Sequence, residues 1–582
     1  MMEQRNLIAA IVLSIVILLG FQFLVERPQL ERERAHQQAV QQQQQTTQPA
    51  PRGVPAPNAA PAAPGAPAAT SGAAPATAPS RAEILASTPR VTIDTPSLHG
   101  SIALKGARFD DLSLVNYHET VDPKSPQITL LTPPGTPDDY YAEFGWVANG
   151  HGVKLPDADT LWQADGKTLT PKTPVTLSWD NGQGLRFLRT YSVDDDFMIS
   201  ITQKVENTGS APVTLYPYGL VSRGGNPPTS GYYLLFEGPL GEFDSVLKEV
   251  KYKDLQKAPE DATTTGGWLG FTDKYWLVAL IPDQKVEVRG RFSDTITSGR
   301  NKYQADVVTT RGLTVEPGAS IESHSRMFAG AKEVQLLNDY QDRLGITNLS
   351  YAIDWGWFFF LTKPIFFALD YLNKLVGNFG IAILLLTVTI KALFFPLANK
   401  SYRAMSKLKK LQPEMMRIRE RCKDDRERMN KEMMELYKRE KANPAAGCLP
   451  MIVQIPVFFA LYKVLYVTIE MRHAPFYGWI HDLSAPDPTT VFNLFGVIPW
   501  TPPEFLMIGA WPLIMGVTMF LQQKLNPQPA DPVQAKMFMI LPIVFTFMLA
   551  HFPSGLVIYW AWNNCLSILQ QWVIMRRAGV RS

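Results

Sequence analysis

One basic side chain interrupts an apolar stretch of the sequence that is long enough to cross a lipid bilayer. The stretch extends from Phe379 to Leu397, and Lys391 is its only charged residue. A charge within hydrocarbon costs at least a few kcal/mol on insertion scales, so such residues usually face a bundle interior or a water-filled cavity. Lys391 is therefore the first candidate functional residue.

The position of Lys391 leaves two interpretations open. The residue lies about 9 Å before Leu397 along a helix, so its stem can reach the nearer interface while its ammonium stays in water. Alternatively, the ammonium faces a polar cavity within the bilayer. Thr387 lies at i−4 on the same helical face and would begin a polar stripe with Lys391.

Further polar side chains occur in the later apolar segments of the chain. Each can form an ordinary interhelical hydrogen bond, but together with Thr387 and Lys391 they can also line a hydrophilic recess. The prolines within these segments predict bent or irregular spans. The polar residues are Gln454, Gln522, Gln523, Asn563, Asn564, Ser567, Gln570 and Gln571.

The sequence predicts no metal site, no cofactor and no enzymatic activity. Cys422, Cys448 and Cys565 provide neither a disulfide framework nor a paired CxxC site. The residues between 86 and 335 contain no HExxH, P-loop or GxSxG pattern. His481 and Asp482 are interpreted as a turn contact rather than as a catalytic pair.

The N-terminal segment predicts an uncleaved membrane anchor over residues 1–25. Its apolar run from Leu7 to Val25 can span a bilayer, and the residues near Phe23 provide no small-residue cleavage site. Residues 26–85 are rich in Gln and then in Ala and Pro, which predicts a disordered linker.

Residues 86–335 have the pattern of an all-β domain. Apolar residues alternate with a period of two, as at Leu185 and Phe187 or at Ile199 and Ile201, and turn residues follow from Asn207. This pattern predicts a β-sandwich, and the absence of catalytic motifs favours a binding or scaffolding role.

The remaining residues are predicted to form a helical membrane bundle. Residues 336–378 are interpreted as connecting and amphipathic interfacial helices. Five core transmembrane helices, numbered after the anchor as the second to sixth spans, are predicted at 379–398, 443–468, 505–523, 537–551 and 555–575. Between them we expect a cytoplasmic helical hairpin at 399–442, a periplasmic loop at 469–504, a cytoplasmic loop at 524–536 and a basic cytoplasmic tail at 576–582.

The distribution of lysine and arginine orients these spans. The segment 399–442 is strongly basic and the C-terminus carries Arg576, Arg577 and Arg581, whereas residues 470–504 contain only Arg472. Because Lys and Arg mark the cytoplasmic side, both termini are predicted to be cytoplasmic and the β-domain to lie outside.

Apolar residues recur every three or four positions in the basic segment, which predicts two antiparallel amphipathic helices. One interpretation is a hairpin packed on itself with a solvated charged face. The other adds a platform for an anionic or hydrophobic partner, because methionines and surplus basic residues suit such partners. The candidate residues are Arg403, Lys407, Lys409, Met415, Arg417 and Met433.

Three stretches of the sequence resemble signature segments of the YidC family of bacterial membrane-protein insertases. They are Asn443–Tyr462, Trp479–Ser484 and Phe552–Leu556, and the order of segments matches Gram-negative members over essentially the whole chain. The resemblance implies a periplasmic β-supersandwich similar to sugar-mutarotase folds. It also implies a groove within the bilayer that opens to cytoplasm and lipid, in which a basic residue receives the polar part of an inserting protein.

At two groove positions the chain departs from the family pattern. Lys391 replaces the arginine of many relatives and lacks its bidentate fork. Trp560, next to Tyr559, replaces a tyrosine, so an aromatic contact is retained without the hydroxyl. The expected groove residues are Lys391, Thr387, Gln454, Tyr559, Trp560, Asn563 and Asn564.

The resemblance implies an insertase and chaperone of the Gram-negative inner membrane that acts alone or with the Sec translocon. Its expected partners are nascent membrane proteins, the Sec translocon and its accessory subunits, the ribosome, signal-recognition components and membrane lipids. Two other functional classes are alternatives: a secondary transporter of an anionic solute, for which the spans show no repeat symmetry, and an anchored sugar-processing enzyme.

Overall fold

The computed structural model describes residues 79–148, 152–225, 227, 229, 235–297, 299–422, 425–440, 449–500, 502–503, 506–525 and 532–577. These residues form two compact units, a β-rich unit that extends to Asp354 and a helical unit that begins at Trp355. The predicted anchor over 1–25 and most of the predicted linker over 26–85 lie outside the described residues.

A short helix, Arg81–Ala86 (α1), occupies the end of the predicted linker. Ser80 caps it: the Ser80 side chain accepts from the Glu83 amide, and the Glu83 carboxylate accepts from the Ser80 amide at 2.7 Å. This capping box pairs two amides that would otherwise have no partner, which explains a helix where composition predicted disorder.

The β-rich unit consists of two sheets. The strands are Arg90–Asp94 (β1), Leu98–Ala103 (β2), Arg108–His118 (β3), Gln127–Leu131 (β4), Tyr140–Ala148 (β5), Gln163–Ala164 (β6), Thr168–Leu169 (β7), Val175–Asp180 (β8), Leu185–Val193 (β9), Met198–Asn207 (β10), Val213–Gly224 (β11), Gly238–Phe243 (β12), Val246–Glu249 (β13), Glu260–Thr265 (β14), Trp268–Thr272 (β15), Trp276–Pro282 (β16), Glu287–Thr297 (β17), Arg300–Thr309 (β18), Leu313–Val315 (β19) and Ser320–Ala331 (β20). In the described part of the chain the first sheet has 11 strands in the order β14-β17-β18-β11-β5-β3-β2-β1-β7, with β19 beside β11 and β4 beside β3. The second has 9 strands in the order β13-β12-β15-β16-β20-β10-β9-β8-β6.

The period-two alternation read from the sequence appears directly in the strands of the second sheet. In β9 the buried residues include Leu185, Phe187 and Tyr191, and exposed or half-buried residues alternate with them. Strands β9 and β10 pair antiparallel, with Val205 opposite Phe187. Burying one face of each such strand builds the apolar core, and the predicted large β-sandwich is confirmed.

One of the buried carboxylates of this unit lies on β12. Glu242 of β12 is 1% exposed, and its Oε1 has no hydrogen-bond partner among the described residues. The backbone approaches it closely, because a Cβ at Gly267 would overlap the Glu242 carbonyl oxygen, and Gly267 itself has a φ of +74°. Glycine is therefore required beside Glu242.

The rest of the chain is helical. The β-rich unit contributes Tyr252–Leu255 (α2) and Val334–Leu344 (α3), and 3-10 turns lie at Leu349–Ala352, Ile469–Met471 and Val491–Gly496. The helical unit contains Phe359–Val376 (α4), Phe379–Leu393 (α5), Phe395–Arg421 (α6), Arg426–Arg439 (α7), Leu449–Val467 (α8), Ala510–Leu525 (α9), Pro532–Leu549 (α10) and Ser554–Arg577 (α11).

Within the described ranges, no unbroken helix combines the length and hydropathy needed to cross a membrane. Helices α5 and α6 meet both requirements only as a pair, and they are bent by 68°. The bend lies at Phe394, and Pro396 occupies the first turn of α6, where a missing amide costs least. Helices α8 to α11 overlap the later predicted spans, and α10 begins at Pro532, within the predicted loop 524–536.

Helices α6 and α7 pack against each other in the segment for which the sequence predicts a hairpin. Asp425 caps α7 by accepting from the Arg428 amide at 2.9 Å. The apolar residues between the two helices form a seam, defined by buried Ile418, Cys422 and Leu436 with Leu411, Met415, Met429 and Met433 packed against them.

Candidate functional site

The helical unit encloses a cavity of about 540 Å³ that is lined by residues of α5, α6, α8, α9, α10 and α11. Lys391 is the only charged residue among the described residues that line it. All seven groove residues expected from the sequence lie in its lining, namely Lys391, Thr387, Gln454, Tyr559, Trp560, Asn563 and Asn564. The structure thus brings residues of three separate helices to one cavity.

Helix α5 carries Lys391 and Thr387 on one face. Asn378 caps the start of the helix by accepting from the Ile381 amide at 3.1 Å. Thr387 is buried, and its hydroxyl donates to the Ile383 carbonyl at 2.7 Å. Because this bond lies within the helix, Thr387 contributes a polar edge to the cavity without needing a partner on another helix.

The Lys391 ammonium is held by a hydroxyl rather than by a carboxylate. Its Nζ donates to Ser567 Oγ of α11 at 2.7 Å. Ser567 donates in turn to the Asn563 carbonyl at 2.8 Å and also hydrogen-bonds to Tyr402 of α6. Ser567 therefore uses its proton on the Asn563 carbonyl, and its Oγ accepts from Lys391. An ammonium has three donors, which leaves capacity for a ligand.

Aromatic side chains form another part of the cavity wall. The Trp560 ring centroid lies 4.7 Å from that of Phe458 and 5.6 Å from that of Phe545. Tyr559 is buried and its hydroxyl bonds to Gln454. Asn564 donates to Thr518 Oγ1 at 3.3 Å. The cavity therefore presents amides and a cation beside a broad aromatic surface.

Sequence reasoning did not place Tyr402 at this site. Tyr402 belongs to the segment 399–442, for which the sequence predicts a hairpin, whereas the structure puts Tyr402 and Met405 in the cavity lining. Ser567, one of the polar residues that the sequence allows in a hydrophilic recess, does lie in the lining. A signal was present, because Trp560, Asn563 and Ser567 recur at helical spacing and so share a face of α11.

The candidate residues of the hairpin divide into two groups. Arg403, Lys407 and Arg417 are exposed, and Lys409 is half-buried. Met415 and Met433 instead pack into the seam, where Tyr437 lies against Met415. The exposed methionines are their neighbours Met416 and Met434, at 59% and 56%. The basic face is accessible, but the two methionines named from the sequence serve hairpin packing.

The pair His481 and Asp482 lies outside this cavity. Asp482 accepts from the amides of His473 and Ser484 at 3.2 Å and 2.7 Å, which is a local turn contact. In the portion of the chain that the structure describes, no group of three His, Cys, Asp or Glu residues could hold a metal ion.

Two protein families match the chain. Residues 90–368 match the family described as the YidC periplasmic domain, and residues 371–580 match the 60Kd inner membrane protein family. The β-rich unit is therefore a periplasmic domain, and a helical C-terminal region follows it.

Solved structures show weaker similarity. An active YidC insertase with its first transmembrane domain resolved aligns with a TM-score of 0.36 and 16% identity, covering 83% of this chain and 92% of that chain. A galactose mutarotase-related enzyme from Lactobacillus acidophilus aligns with a TM-score of 0.30 and 10% identity, covering 41% of this chain and 97% of that chain. Because both TM-scores are low, family membership rests on sequence.

The sequence relatives cover the chain from end to end. A protein named membrane protein insertase YidC from Methylobacterium radiotolerans is 54% identical, covering 100% of this chain and 96% of the relative. A protein of the same name from Beijerinckia indica subsp. indica is also 54% identical, covering 100% of this chain and 97% of the relative. The chain belongs to the YidC family of membrane protein insertases.

Proposed function

We propose that this insertase receives the hydrophilic part of a client membrane protein in the cavity around Lys391. The observation that carries the proposal is a cavity of about 540 Å³ whose lining, among described residues, contains a single charge and no carboxylate. A cation without an acidic partner attracts carboxylates and main-chain carbonyls of a client. The aromatic side of the cavity accommodates the apolar residues that accompany them.

The cavity lowers the main cost of insertion. Polar groups transferred into hydrocarbon without partners cost several kcal/mol each. The amides of Gln454, Asn563 and Asn564 and the ammonium of Lys391 provide partners while the polar segment moves partway across. The apolar segment then leaves along the apolar wall toward lipid, driven by burial of its own surface and aided by the membrane potential. The insertion step requires no nucleotide hydrolysis.

The hydroxyl of Ser567 positions the cation. It fixes the Lys391 ammonium against α11, so that the remaining ammonium donors point away from this contact. Lysine presents a compact charge on a flexible stem and lacks the planar fork of arginine. A hydroxyl support therefore supplies orientation that an arginine would gain from its own shape.

The remaining parts of the proposal concern topology and partners. Both termini lie in the cytoplasm, the anchor occupies 1–25, and the spans occupy the five ranges given above. The exposed basic face of the hairpin, with Arg403, Lys407 and Arg417, and the basic tail receive ribosomes and signal-recognition components. The periplasmic domain contacts the Sec translocon or its accessory subunits. The family matches give no support to the transporter alternative.

Site-specific photocrosslinking tests the cavity directly. The insertase carries a photoreactive phenylalanine analogue at position 391. When a small client is stalled during its synthesis, the analogue should capture that client. The matched control is Val388 on the same helix, which is 42% exposed and should capture mainly lipid. Capture of lipid alone from position 391, while insertion proceeds normally, would refute the proposal.

A further inference from the structure

An uncharged, apolar segment is exposed in the predicted periplasmic loop between α8 and α9. Residues 491–500, here called the apolar tip, contain no charged side chain. The exposed fractions are 78% for Val497, 54% for Leu494, 50% for Phe495, 48% for Trp500, 43% for Ile498 and 41% for Phe492. Single exposed apolar residues are common, but a contiguous group of this kind marks an interaction surface.

The backbone of the apolar tip pairs within itself. The Phe495 amide donates to the Thr490 carbonyl at 2.9 Å, and the Ile498 amide donates to the Asn493 carbonyl at 3.0 Å. The Asn493 side chain donates to the Trp500 carbonyl at 3.4 Å. Internal pairing of this kind is what an irregular segment needs where water is scarce.

Two residues of the apolar tip are held in an unusual conformation. Leu494 and Phe495 have φ values of +51° and +58°. Large side chains seldom adopt this left-handed region, and persistent strain of this type occurs mainly at functional positions. The effect is to turn both side chains outward from a compact turn.

The segment just before the apolar tip is fixed to the first turn of α9. Asp487 is 4% exposed and accepts from the Thr489 hydroxyl at 2.7 Å, the Trp511 amide at 2.9 Å and the Trp479 indole at 3.1 Å. Further along α9, Ile514, Val517 and Leu521 are exposed apolar residues. Helix α9 thus carries exposed apolar residues of its own.

We propose that the apolar tip inserts into the outer leaflet of the membrane, at the boundary between lipid headgroups and acyl chains. Lipid is the occupant that the observations favour, because the tip is uncharged, precedes a proposed span with exposed apolar residues and carries a tryptophan, a residue enriched at this depth. The inference rests on the proposed topology, which puts the loop on the periplasmic side. Since α9 also lines the cavity with Met519 and Gln522, the tip would set the depth of that wall in the bilayer.

Depth-dependent quenching tests the inference in the full-length protein. Starting from a variant in which Cys422, Cys448 and Cys565 are replaced, Val497→Cys is labelled with an environment-sensitive fluorophore. The protein is then reconstituted into phosphatidylcholine vesicles with or without bromine on the upper acyl chain. Lys124→Cys, on an exposed turn of the periplasmic domain, is the matched control. Reaction with a membrane-impermeant maleimide in spheroplasts reports the side of the membrane.

For Val497→Cys we expect a blue-shifted emission and loss of more than about half of its intensity with brominated lipid, against less than about a tenth for Lys124→Cys. Equal quenching at both positions would overturn the inference, as would capture of a protein in place of lipid by a photoreactive group at 497. Val497→Asp should leave the melting temperature unchanged. It should abolish lipid quenching of a fluorophore attached at Ile498→Cys, and retained quenching at that position would also contradict insertion of the tip. Reaction of the cysteine at 497 with maleimide only from the cytoplasmic side would overturn the proposed topology. Loss of client capture from position 391 would overturn the proposed cavity function but not the insertion of the tip.

Discussion

Replacing Glu242 with glutamine is expected to stabilise the periplasmic domain at neutral and alkaline pH relative to acidic pH. Burial in β12 raises the pKa of the Glu242 carboxyl from 4.5 to about 7, and the nearby Asp244 carboxylate acts in the same direction. Hydrogen bonds from the Ser245 amide and the Asn348 side chain oppose the rise but do not cancel it. The ionised form is therefore the unfavourable one in the folded protein.

The sign of the effect follows from proton binding. Between pH 4.5 and pH 7 the unfolded carboxyl has lost its proton while the folded one retains it, so the free energy of unfolding falls as pH rises through this window. A pKa change of this size corresponds to about 3 kcal/mol. A glutamine carries a constant cost for its buried amide, but that cost does not vary with pH. The free energy of unfolding of Glu242→Gln should therefore rise by about 3 kcal/mol relative to that of the parent between pH 4.5 and pH 8.

Hydrogen exchange of the full-length protein in detergent measures this difference. Peptides covering β12 and its partner β15 are followed by mass spectrometry, with rates corrected for the intrinsic effect of pH. Glu316→Gln, at an exposed turn, is the control and should behave like the parent at both pH values. A difference between Glu242→Gln and the parent that is the same at pH 4.5 and pH 8 would show that this carboxyl is not held protonated by burial.

Three further predictions concern the helical unit. Lys391→Glu should reduce insertion of a small client about tenfold or more, whereas Lys391→Arg should stay within about threefold of the parent, as judged by protease protection in depleted cells; equal losses would remove the role of positive charge. Ser567→Ala should lower insertion several-fold while Ser567→Thr preserves it, since only the hydroxyl supports the ammonium, and failure of threonine to rescue would point to a packing role. Gly380→Ala should destabilise the helical unit by about 1–3 kcal/mol, because a Cβ at Gly380 overlaps the Phe476 ring. The melting temperature in detergent should recover when Phe476→Leu is added, and no recovery would refute the proposed overlap.

The elements of the β-domain could be predicted because their signal is local. Alternation along a strand such as Leu185–Val193 specifies which face is buried without reference to any other strand. The order of strands has no such signal. Strand β1 pairs in parallel with β7, and β11 pairs with both β5 and β18, which are distant in sequence. These pairings depend on how both sheets close over a shared core.

The site was predictable in part for the same reason. A charge within an apolar run singles out Lys391 without knowledge of any neighbour. Tyr402 could not be assigned from periodicity, because the face of α6 that carries it meets α11 only through the bend at Phe394. Met415 and Met433 could not be separated from Met416 and Met434 by composition either, since helix rotation decides which methionine enters the seam.

The bend between α5 and α6 connects the α6–α7 pair mechanically to the cavity. Helix α6 extends from Tyr402, which lines the cavity, past Pro413 to Ile418, which lies in the seam. This is a lever arm of about 24 Å. A load on the basic face of the hairpin would therefore exert torque on the Tyr402–Ser567–Lys391 contacts. Docking of a large particle at the hairpin would then change the orientation of the Lys391 ammonium, because one displacement of α6 affects both.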